Sequence, residues 1–312
     1  MREIVQLRNL TKQFRNVTAV WNLSLSLEEG DIFGFIGPNG AGKTTTIKML
    51  ATLLRPTSGA AVIDGHDVTL DPGAVRSVVG YMPDDFGVYD DIRVWEYLDF
   101  FAAAYRIPRS QRRQVIDDVL TLTDLQTKRS SYVDELSRGM KQRLCLAKTL
   151  VHDPKVLLLD EPASGLDPRA RIEIRELLKE LQAMGKTIFI SSHILAELSE
   201  FCNKIGIIEN GQLVVGGDVH EIIDRIKGNL RRVCLVVQGD ADMATRILAQ
   251  QPGIGQIERE DHAIKAEFSA DEDELPRLLT ALVQAGVQVR SFGEEEMDLE
   301  DIFIRLTRGI VS

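Results

Sequence analysis

The sequence predicts an α/β fold built on a mixed sheet, followed by a smaller α+β domain. Three observations lead to this prediction. An apolar run at 32–36 enters a glycine-rich loop and then a helix, and a second apolar run at 156–159 ends in two acids and a proline. From residue 229 onward, the alternation of apolar patterns follows the order strand, helix, strand, strand, helix, strand.

The N-terminal segment is predicted to form an antiparallel piece of sheet. Residues 4–7 and 20–27 alternate apolar and polar side chains, which is typical of half-buried strands. Phe14 lies between them in a polar stretch that we expect to be a turn. An aromatic ring at such a position could stack on an adenine base, or it could pack in the core or lie on the surface.

A phosphate-binding loop follows the apolar run at 32–36. Its residues are Gly37, Pro38, Asn39, Gly40, Ala41, Gly42, Lys43, Thr44 and Thr45, which match G-x-x-x-x-G-K-[ST]. The glycines permit backbone angles that turn successive N–H groups toward a phosphate at a helix N-terminus. In such a loop Lys43 reaches the β and γ phosphates, and the hydroxyl of Thr44 can bind Mg²⁺. The loop alone predicts a nucleotide-phosphate site, which kinases, GTPases, recombinases and transporter ATPases share.

A helical insert is predicted at about 85–150. The hydrophobic period becomes helical from Val94 to Leu125, and Ser137 is a suitable N-cap for a further helix. Two buried strands follow, one ending at Asp160-Glu161 and the other at Ser191-Ser192-His193. Because ligands of open α/β sheets bind at the carboxyl ends of the strands, these polar groups are expected at one edge.

The first domain is predicted to span 1–228 and the second 229–312. A hairpin at Asn210-Gly211 and a short helix precede the boundary, which we place at Gly228-Asn229. The order of elements in the second domain resembles a ferredoxin-like module, with a last helix at 299–308. This domain contains 9 Lys/Arg and 16 Asp/Glu, so we expect it to repel phosphate backbones and anionic lipid.

Composition limits the class of protein. The 312 residues are 44% hydrophobic and carry a net charge of −10, enough for one large core or two modest ones. No apolar stretch approaches the roughly 20 residues of a membrane-spanning helix, and we recognise no signal peptide, so we expect a soluble intracellular protein. Cys145, Cys202 and Cys234 lack the spacing of a metal or redox motif and are expected to be structural thiols.

A series of motifs then resembles one family. In chain order these motifs are the loop at 37–45, Leu-Ser-Arg-Gly-Met-Lys-Gln at 136–142, Leu-Leu-Leu-Asp-Glu-Pro at 157–162, Ser-Gly-Leu-Asp at 164–167, and His193. Their order and spacing resemble those of ABC-type ATPases, and the chain looks like the ATP-binding subunit of an ABC-2 type transporter. The resemblance covers about residues 1–220, with a weaker match at 299–303.

The resemblance implies a role for each polar residue at the sheet edge. Asp160 would hold Mg²⁺ directly or through water, and Glu161 would be the general base that polarises the attacking water. The alternative for Glu161 is a second acid near the metal or a salt-bridge partner. His193 would contact the γ-phosphate and orient the water, although a histidine at a strand end is often structural.

The resemblance also implies a composite site in a homodimer. Ser137 and Gly139 would contact the γ-phosphate of ATP held by the other protomer, and Asp167 would lie at the interface between two copies packed head to tail. Phe14 would then be the ring that stacks on adenine. The implied cofactors are ATP and Mg²⁺. The implied partner is a separate ABC-2 type permease, which would hold the protein at the inner face of the membrane.

Two departures from the family pattern bear on this interpretation. Asp84 stands where the family usually has Gln, so an acid that can bind Mg²⁺ also adds negative charge beside the triphosphate. Arg138 and Met140 replace the usual Gly and Gln of the signature. Since Ser137 and Gly139 remain, we expect the phosphate contact to survive.

Two other functions compete with a transporter ATPase. A soluble ABC ATPase acting on ribosomes or DNA is the main alternative, but it would usually carry two ATPase units or long coiled-coil arms, which this chain lacks. A small-molecule kinase would leave the motif at 136–139 unexplained. We therefore expect no nucleic-acid partner, and favour ATP-driven closure of a dimer that powers export.

Overall fold

The structure is a computed structural model that describes residues 2–85, 87, 91–222, 231–239, 241–260, 263–268 and 275–295. The chain divides into two compact units, residues 1–219 and 220–312. The predicted boundary at 228–229 and the predicted last helix at 299–308 lie outside the described residues.

The first unit contains a mixture of strands and helices. Its strands are β1 (Glu3–Phe14), β2 (Val17–Glu28), β3 (Ile32–Ile36), β4 (Ser58–Ile63), β5 (His66–Asp67), β6 (Val79–Met82), β7 (Val156–Asp160), β8 (Thr187–Ser192), β9 (Lys204–Glu209) and β10 (Gln212–Asp218). Its helices are α1 (Lys43–Leu50), α2 (Pro72–Val78), α3 (Val94–Ala104), α4 (Arg109–Leu122), α5 (Arg138–Leu150), α6 (Pro168–Ala183) and α7 (Leu195–Ser199).

A mixed sheet of six strands, among the described residues, carries the site. Its order is β10-β9-β3-β8-β7-β6. Strands β9, β3, β8, β7 and β6 run parallel, and β10 pairs antiparallel with β9 across the predicted Asn210-Gly211 turn. Every residue of β3, β7 and β8 is buried. These strands are mainly apolar because both faces of such a parallel sheet are covered.

A second sheet, antiparallel and ordered β2-β1-β4-β5, forms the predicted antiparallel piece. Its first two strands are longer than expected, and one correction follows. Phe14 does not lie in a turn but is the last residue of β1, where it pairs with Val17 of β2. The polar side chains at 11–13 favour a turn when the sequence is considered alone, yet a strand at a sheet surface can carry polar side chains on its exposed positions. One apolar core contains side chains from both sheets and from α1.

The helical insert consists of α3, α4 and α5. Tyr97, Leu98 and Ala102 of α3 are buried, as are Ile116 and Val119 of α4. The predicted N-cap of α5 is confirmed, since the hydroxyl of Ser137 accepts a hydrogen bond from the Met140 amide. Cys145 and Cys202 are buried free thiols, as expected of structural cysteines.

The second unit contains a four-stranded antiparallel sheet with two helices. Its elements are β11 (Arg231–Val237), α8 (Ala241–Ala249), β12 (Ile254–Glu260), β13 (Ala263–Phe268), α9 (Leu275–Gln284) and β14 (Val289–Glu295). The sheet order β12-β13-β11-β14 is that of a ferredoxin-like fold, which confirms the predicted module. Buried side chains of β11 and β13 pack against Ala244, Leu248, Leu278 and Leu282 of the helices. None of the helices in the described ranges has the length and hydropathy needed to cross a membrane.

Candidate active site

The phosphate-binding loop lies between the buried strand β3 and the first turn of α1. Gly42 is the N-cap of α1 and has φ of 108°, a conformation that favours glycine. A Cβ added at Gly37 or Gly42 would collide with the carbonyl oxygen of Ile208 or Ala19, respectively. The sequence therefore requires glycine here for two reasons, the backbone angle at Gly42 and the close approach of neighbouring strands at both positions.

A cavity of about 290 Å³ opens beside this loop. Loop residues form one part of its wall, and side chains from other elements form the rest. The lining residues are Asn39, Gly40, Ala41, Gly42, Lys43, Thr44, Thr45, Asp84, Glu161, Ser164 and His193. The fold thus brings together the loop, the acid after β7 and the histidine after β8, as expected for the carboxyl ends of adjacent parallel strands.

Lys43 has its ammonium group inside the loop. Its Nζ donates to the carbonyl oxygens of Gly37 at 2.7 Å and Pro38 at 3.2 Å, and lies 3.3 Å from Oε1 of Glu161. The residue is only 5% exposed. A buried ammonium needs such partners, and it places a positive charge where the loop can receive phosphate oxygens.

Glu161 and His193 form a hydrogen-bonded pair next to Lys43. The Nδ1 atom of His193 lies 2.7 Å from Oε2 of Glu161. A carboxylate can only accept, so Nδ1 carries the hydrogen in this contact. Glu161 also has φ of 49°, unusual for a residue with a side chain, and such strain is concentrated at functional sites. The arrangement places a carboxylate and an imidazole within one hydrogen bond of each other at the cavity wall.

Asp160 is buried, and only one of its two carboxylate oxygens has a hydrogen-bond partner among the described residues. Its Oδ1 accepts a hydrogen bond of 2.7 Å from the hydroxyl of Ser191, while its Oδ2 is buried without a partner in the described part of the chain. A buried carboxylate oxygen without a partner is costly, and carboxylates are preferred ligands of Mg²⁺. The residue therefore fits a magnesium ligand. No group of three or more acidic, His or Cys side chains in the described ranges forms a ready-made metal cage, but Mg²⁺ bound with a nucleotide needs only one or two carboxylates.

Asp84 borders the same cavity from the segment after β6. Partial burial and then the negative charges of Asp160, Glu161 and Asp85 raise the pKa of its carboxyl group, while Lys43 acts in the opposite direction. Asp84 is thus close enough to this group of charges to affect whatever anion the loop binds.

Comparisons with known proteins agree with this geometry. Residues 20–164 match the family model described as ABC transporter, and residues 217–307 match the model of the DrrA1-3-like ATP-binding protein C-terminal domain. The chain is 32% identical to the ABC transporter ATP-binding protein YhcH of Bacillus subtilis, covering 98% of this chain and 97% of that protein. The chain belongs to the family of ABC transporter ATP-binding proteins.

Two further comparisons extend the finding. The chain is 33% identical to the Nod factor export ATP-binding protein I of Cupriavidus metallidurans, over 98% of each chain. A solved structure described as the dimeric form of a bacterial ABC transporter cassette is 25% identical, with a TM-score of 0.63 over 69% of this chain and 99% of that one. This chain is accordingly the ATP-binding subunit of an ABC transporter, with the domain of an ABC ATPase.

Three other predicted residues of this ABC ATP-binding subunit do not line the cavity beside its own phosphate loop. Ser137 caps α5, and Asp167 caps α6 by accepting a 2.9 Å hydrogen bond from the Ala170 amide. Gly139 lies in the first turn of α5, where an added Cβ would be 3.7 Å from the Cβ of Ala170. Within one chain, the signature segment is thus next to α6 and not among the residues around Lys43.

Phe14 does not line the cavity either. The residue is 46% exposed, and the ammonium group of Lys12 lies 5.1 Å from the ring centroid. The ring is therefore available for a stacking partner.

Sequence reasoning missed the roles of two serines. The hydroxyl of Ser191 donates to Asp160 and accepts from the backbone amide of Glu161 at 2.9 Å, so it fixes both acids. Ser164 borders the cavity from the loop after β7. In the sheet Ser191 of β8 pairs directly with Asp160, the last residue of β7. The polar residues at the ends of these two predicted strands are the signal that could have found it.

Proposed function

We propose that this chain is the ATP-hydrolysing subunit of an ABC-2 type exporter, working as a homodimer on a separately encoded membrane permease. The observation that carries the proposal is the composition of the cavity. It contains Lys43, Glu161 and His193, whereas Ser137 and Gly139 are absent from the residues described as lining it. A second copy packed head to tail would supply the missing signature segment. The dimeric cassette and the exporter relative described above support this arrangement.

In this proposal the phosphate loop binds the β and γ phosphates of ATP. The Nζ atom of Lys43 exchanges the carbonyl oxygens of Gly37 and Pro38 for phosphate oxygens, and in doing so releases Glu161 from its ion pair. The backbone N–H groups of the loop provide further donors at the N-terminus of α1. Phe14, from the antiparallel sheet, stacks on the adenine ring.

Glu161 then acts as the general base. Its carboxylate accepts a proton from the attacking water, and the hydrogen bond from Nδ1 of His193 to Oε2 fixes its orientation. In this proposal His193 also contacts the γ-phosphate, and its position in the wall of the same cavity supports that role. General-base catalysis of this kind contributes about 10²- to 10⁴-fold to the rate.

Mg²⁺ would be held by Asp160 and the hydroxyl of Thr44, with Asp84 as a further oxygen donor. The fit rests on the buried, unpartnered Oδ2 of Asp160 and on the position of Thr44 in the cavity wall. When bound, the ion neutralises negative charge on the phosphates.

Two copies would bind two ATP molecules between them. Ser137 and the amide of Gly139 in each copy contact the γ-phosphate held by the other, and Asp167 lies at the interface. ATP binding closes the dimer and hydrolysis reopens it, and this motion drives the permease. The permease also holds the dimer at the cytoplasmic face of the membrane.

The test is ATP turnover by the purified protein and its Glu161→Gln variant, with the oligomeric state measured with and without ATP. We expect the wild type to hydrolyse ATP, and the variant to lose at least about 100-fold in rate while forming an ATP-dependent dimer. Full turnover by the variant would exclude Glu161 as the base. If neither protein turns over ATP or dimerises, co-expression with candidate ABC-2 type permeases becomes the deciding measurement, and the absence of stimulated turnover there would overturn the proposal.

The alternative, a soluble ABC ATPase acting on ribosomes or DNA, has its own test. Binding to RNA or DNA that weakens steeply with salt would favour it. The net charge of −10 argues against such binding.

A further inference from the structure

The signature helix α5 contacts the loop at 161–167 of its own chain. The guanidinium of Arg138 donates from Nη2 to the carbonyl oxygen of Ser164 at 3.4 Å. One turn along the helix, the buried amide of Gln142 donates to the carbonyl oxygen of Pro162. The same loop begins at Glu161 and includes Ser164, both of which border the phosphate-loop cavity. Two side chains of α5 therefore bind a loop that forms part of the wall of this chain's own ATP site.

The contact between Arg138 and the loop depends on a glycine. Gly165 has φ of 68°, and a Cβ added there would lie 2.5 Å from Cζ and 2.8 Å from Nη1 of Arg138. Real Cβ atoms do not approach other heavy atoms so closely. The guanidinium therefore occupies the space that a side chain at position 165 would need.

Arg138 occupies a helix position that disfavours a positive charge, so its contact with the loop needs another reason. Arg138 is the first residue of α5, where a positive charge is unfavourable to the helix dipole by about 0.3–1 kcal/mol. A glycine would avoid that cost but could not reach the carbonyl of Ser164. The planar, multidentate guanidinium can both donate to that carbonyl and lie against Gly165.

We propose that Arg138 is a positioning residue that couples the two ATP sites of the dimer. It holds the loop at 161–167 of its own chain, while its neighbours Ser137 and Gly139 face the ATP of the partner. Arrival of a phosphate at the signature segment thereby acts on Ser164 and Glu161 in the other site. This inference rests on the proposed head-to-tail dimer.

A double-mutant cycle between Arg138 and Gly165 tests the coupling. We expect Arg138→Gly to lower kcat about tenfold with KM for ATP changed less than about twofold, because the phosphate loop is intact. Gly165→Ala should lower kcat at least as much in the wild-type background, since the new methyl group displaces the guanidinium. In the Arg138→Gly background the same substitution should cost at least about fivefold less, because residues in contact are not additive. Independent, multiplicative effects would overturn the proposal.

The variant Arg138→Lys separates geometry from charge. It keeps the cation but loses the planar group that lies against Gly165. We expect it to restore less than half of the kcat lost in Arg138→Gly. Full restoration by Lys would mean that charge alone matters, and would overturn the positioning role.

Hydrogen exchange provides a readout that needs neither dimer nor hydrolysis. In the protein without added nucleotide, the amides of 163–167 should exchange several-fold faster in Arg138→Gly, while those of the phosphate loop at 40–45 keep their wild-type rates. If the wild type shows no ATP turnover even when co-expressed with a permease, the proposed function fails, yet this measurement still reports whether Arg138 holds the loop. Unchanged exchange at 163–167 would overturn the inference.

Discussion

Ser191 donates a hydrogen bond of 2.7 Å from its hydroxyl to Oδ1 of Asp160, across the adjacent parallel strands β8 and β7. The same hydroxyl accepts from the amide of Glu161, whose backbone has a positive φ of 49°. One side chain thus fixes the proposed metal ligand and the backbone of the proposed general base. Because Oδ1 already accepts the hydrogen bond from Ser191, Oδ2 is the carboxylate oxygen of Asp160 that remains available to bind a metal.

We predict that Ser191→Ala lowers kcat at least about tenfold with a smaller effect on KM, because Glu161 loses the group that fixes its backbone. The buried Oδ1 of Asp160 also loses its donor, so the free energy of unfolding should fall by about 1–3 kcal/mol. Steady-state turnover and urea unfolding measure the two effects. Ser192→Ala is the matched control, since its hydroxyl accepts only from the Ile194 amide among the contacts described. Equal losses of kcat in both variants would contradict the prediction.

The two glycines with positive φ in the phosphate loop should differ in their tolerance of alanine. Gly42 has a carbonyl oxygen of β2 in the position of an added Cβ, whereas Gly40, with φ of 83°, has open space there. We expect Gly40→Ala to cost about 1 kcal/mol of unfolding free energy from backbone strain alone, and Gly42→Ala at least about 3 kcal/mol because the strand must also move. Urea unfolding curves give both values. Similar costs at the two positions would show that strain alone matters.

Asp84→Gln should tighten the binding of ATP when no divalent metal is present. The substitution removes a negative charge beside the phosphate loop, and we expect the Kd for ATP in EDTA to fall about threefold to tenfold, on the order of 1 kcal/mol for an exposed charge pair. Fluorescence titration with a nucleotide analogue measures it. Asp85→Asn is the control, because Asp85 is one residue further along and does not line the cavity. Weaker binding by Asp84→Gln in EDTA would show that the carboxylate is not repelling the nucleotide.

Ser137 is expected to have two separable roles, as a helix cap and as a phosphate ligand. Ser137→Ala removes the acceptor for the Met140 amide and should cost about 1 kcal/mol of unfolding free energy. Ser137→Asp retains a cap and should unfold like the wild type, yet its charge would repel the partner's γ-phosphate and abolish turnover. Thermal unfolding and ATP turnover on the same samples separate the roles. Turnover by Ser137→Asp above about a tenth of the wild-type rate would remove Ser137 from the proposed composite site.

Local sequence patterns predicted most of the elements that carry the site. The phosphate loop, the buried strands β7 and β8 and the ferredoxin-like order of the second unit could be predicted because each depends on residues close in sequence. The error at Phe14 arose where polar residues occupy exposed positions of a strand. Pairing with the next strand, β2, decides such positions, and the apolar periodicity of a single segment does not report it.

The sequence by itself determined which chemical groups this ABC ATP-binding subunit carries: the phosphate loop with Lys43, the acids Asp160 and Glu161, and His193. Only the tertiary structure decided how they meet. The ion pair of Lys43 with Glu161, the two hydrogen bonds of Ser191 and the contact of Arg138 with Gly165 join residues that are between 27 and 118 positions apart. Such contacts depend on the register of parallel strands and on helix packing, and both are set by the whole core rather than by any local segment.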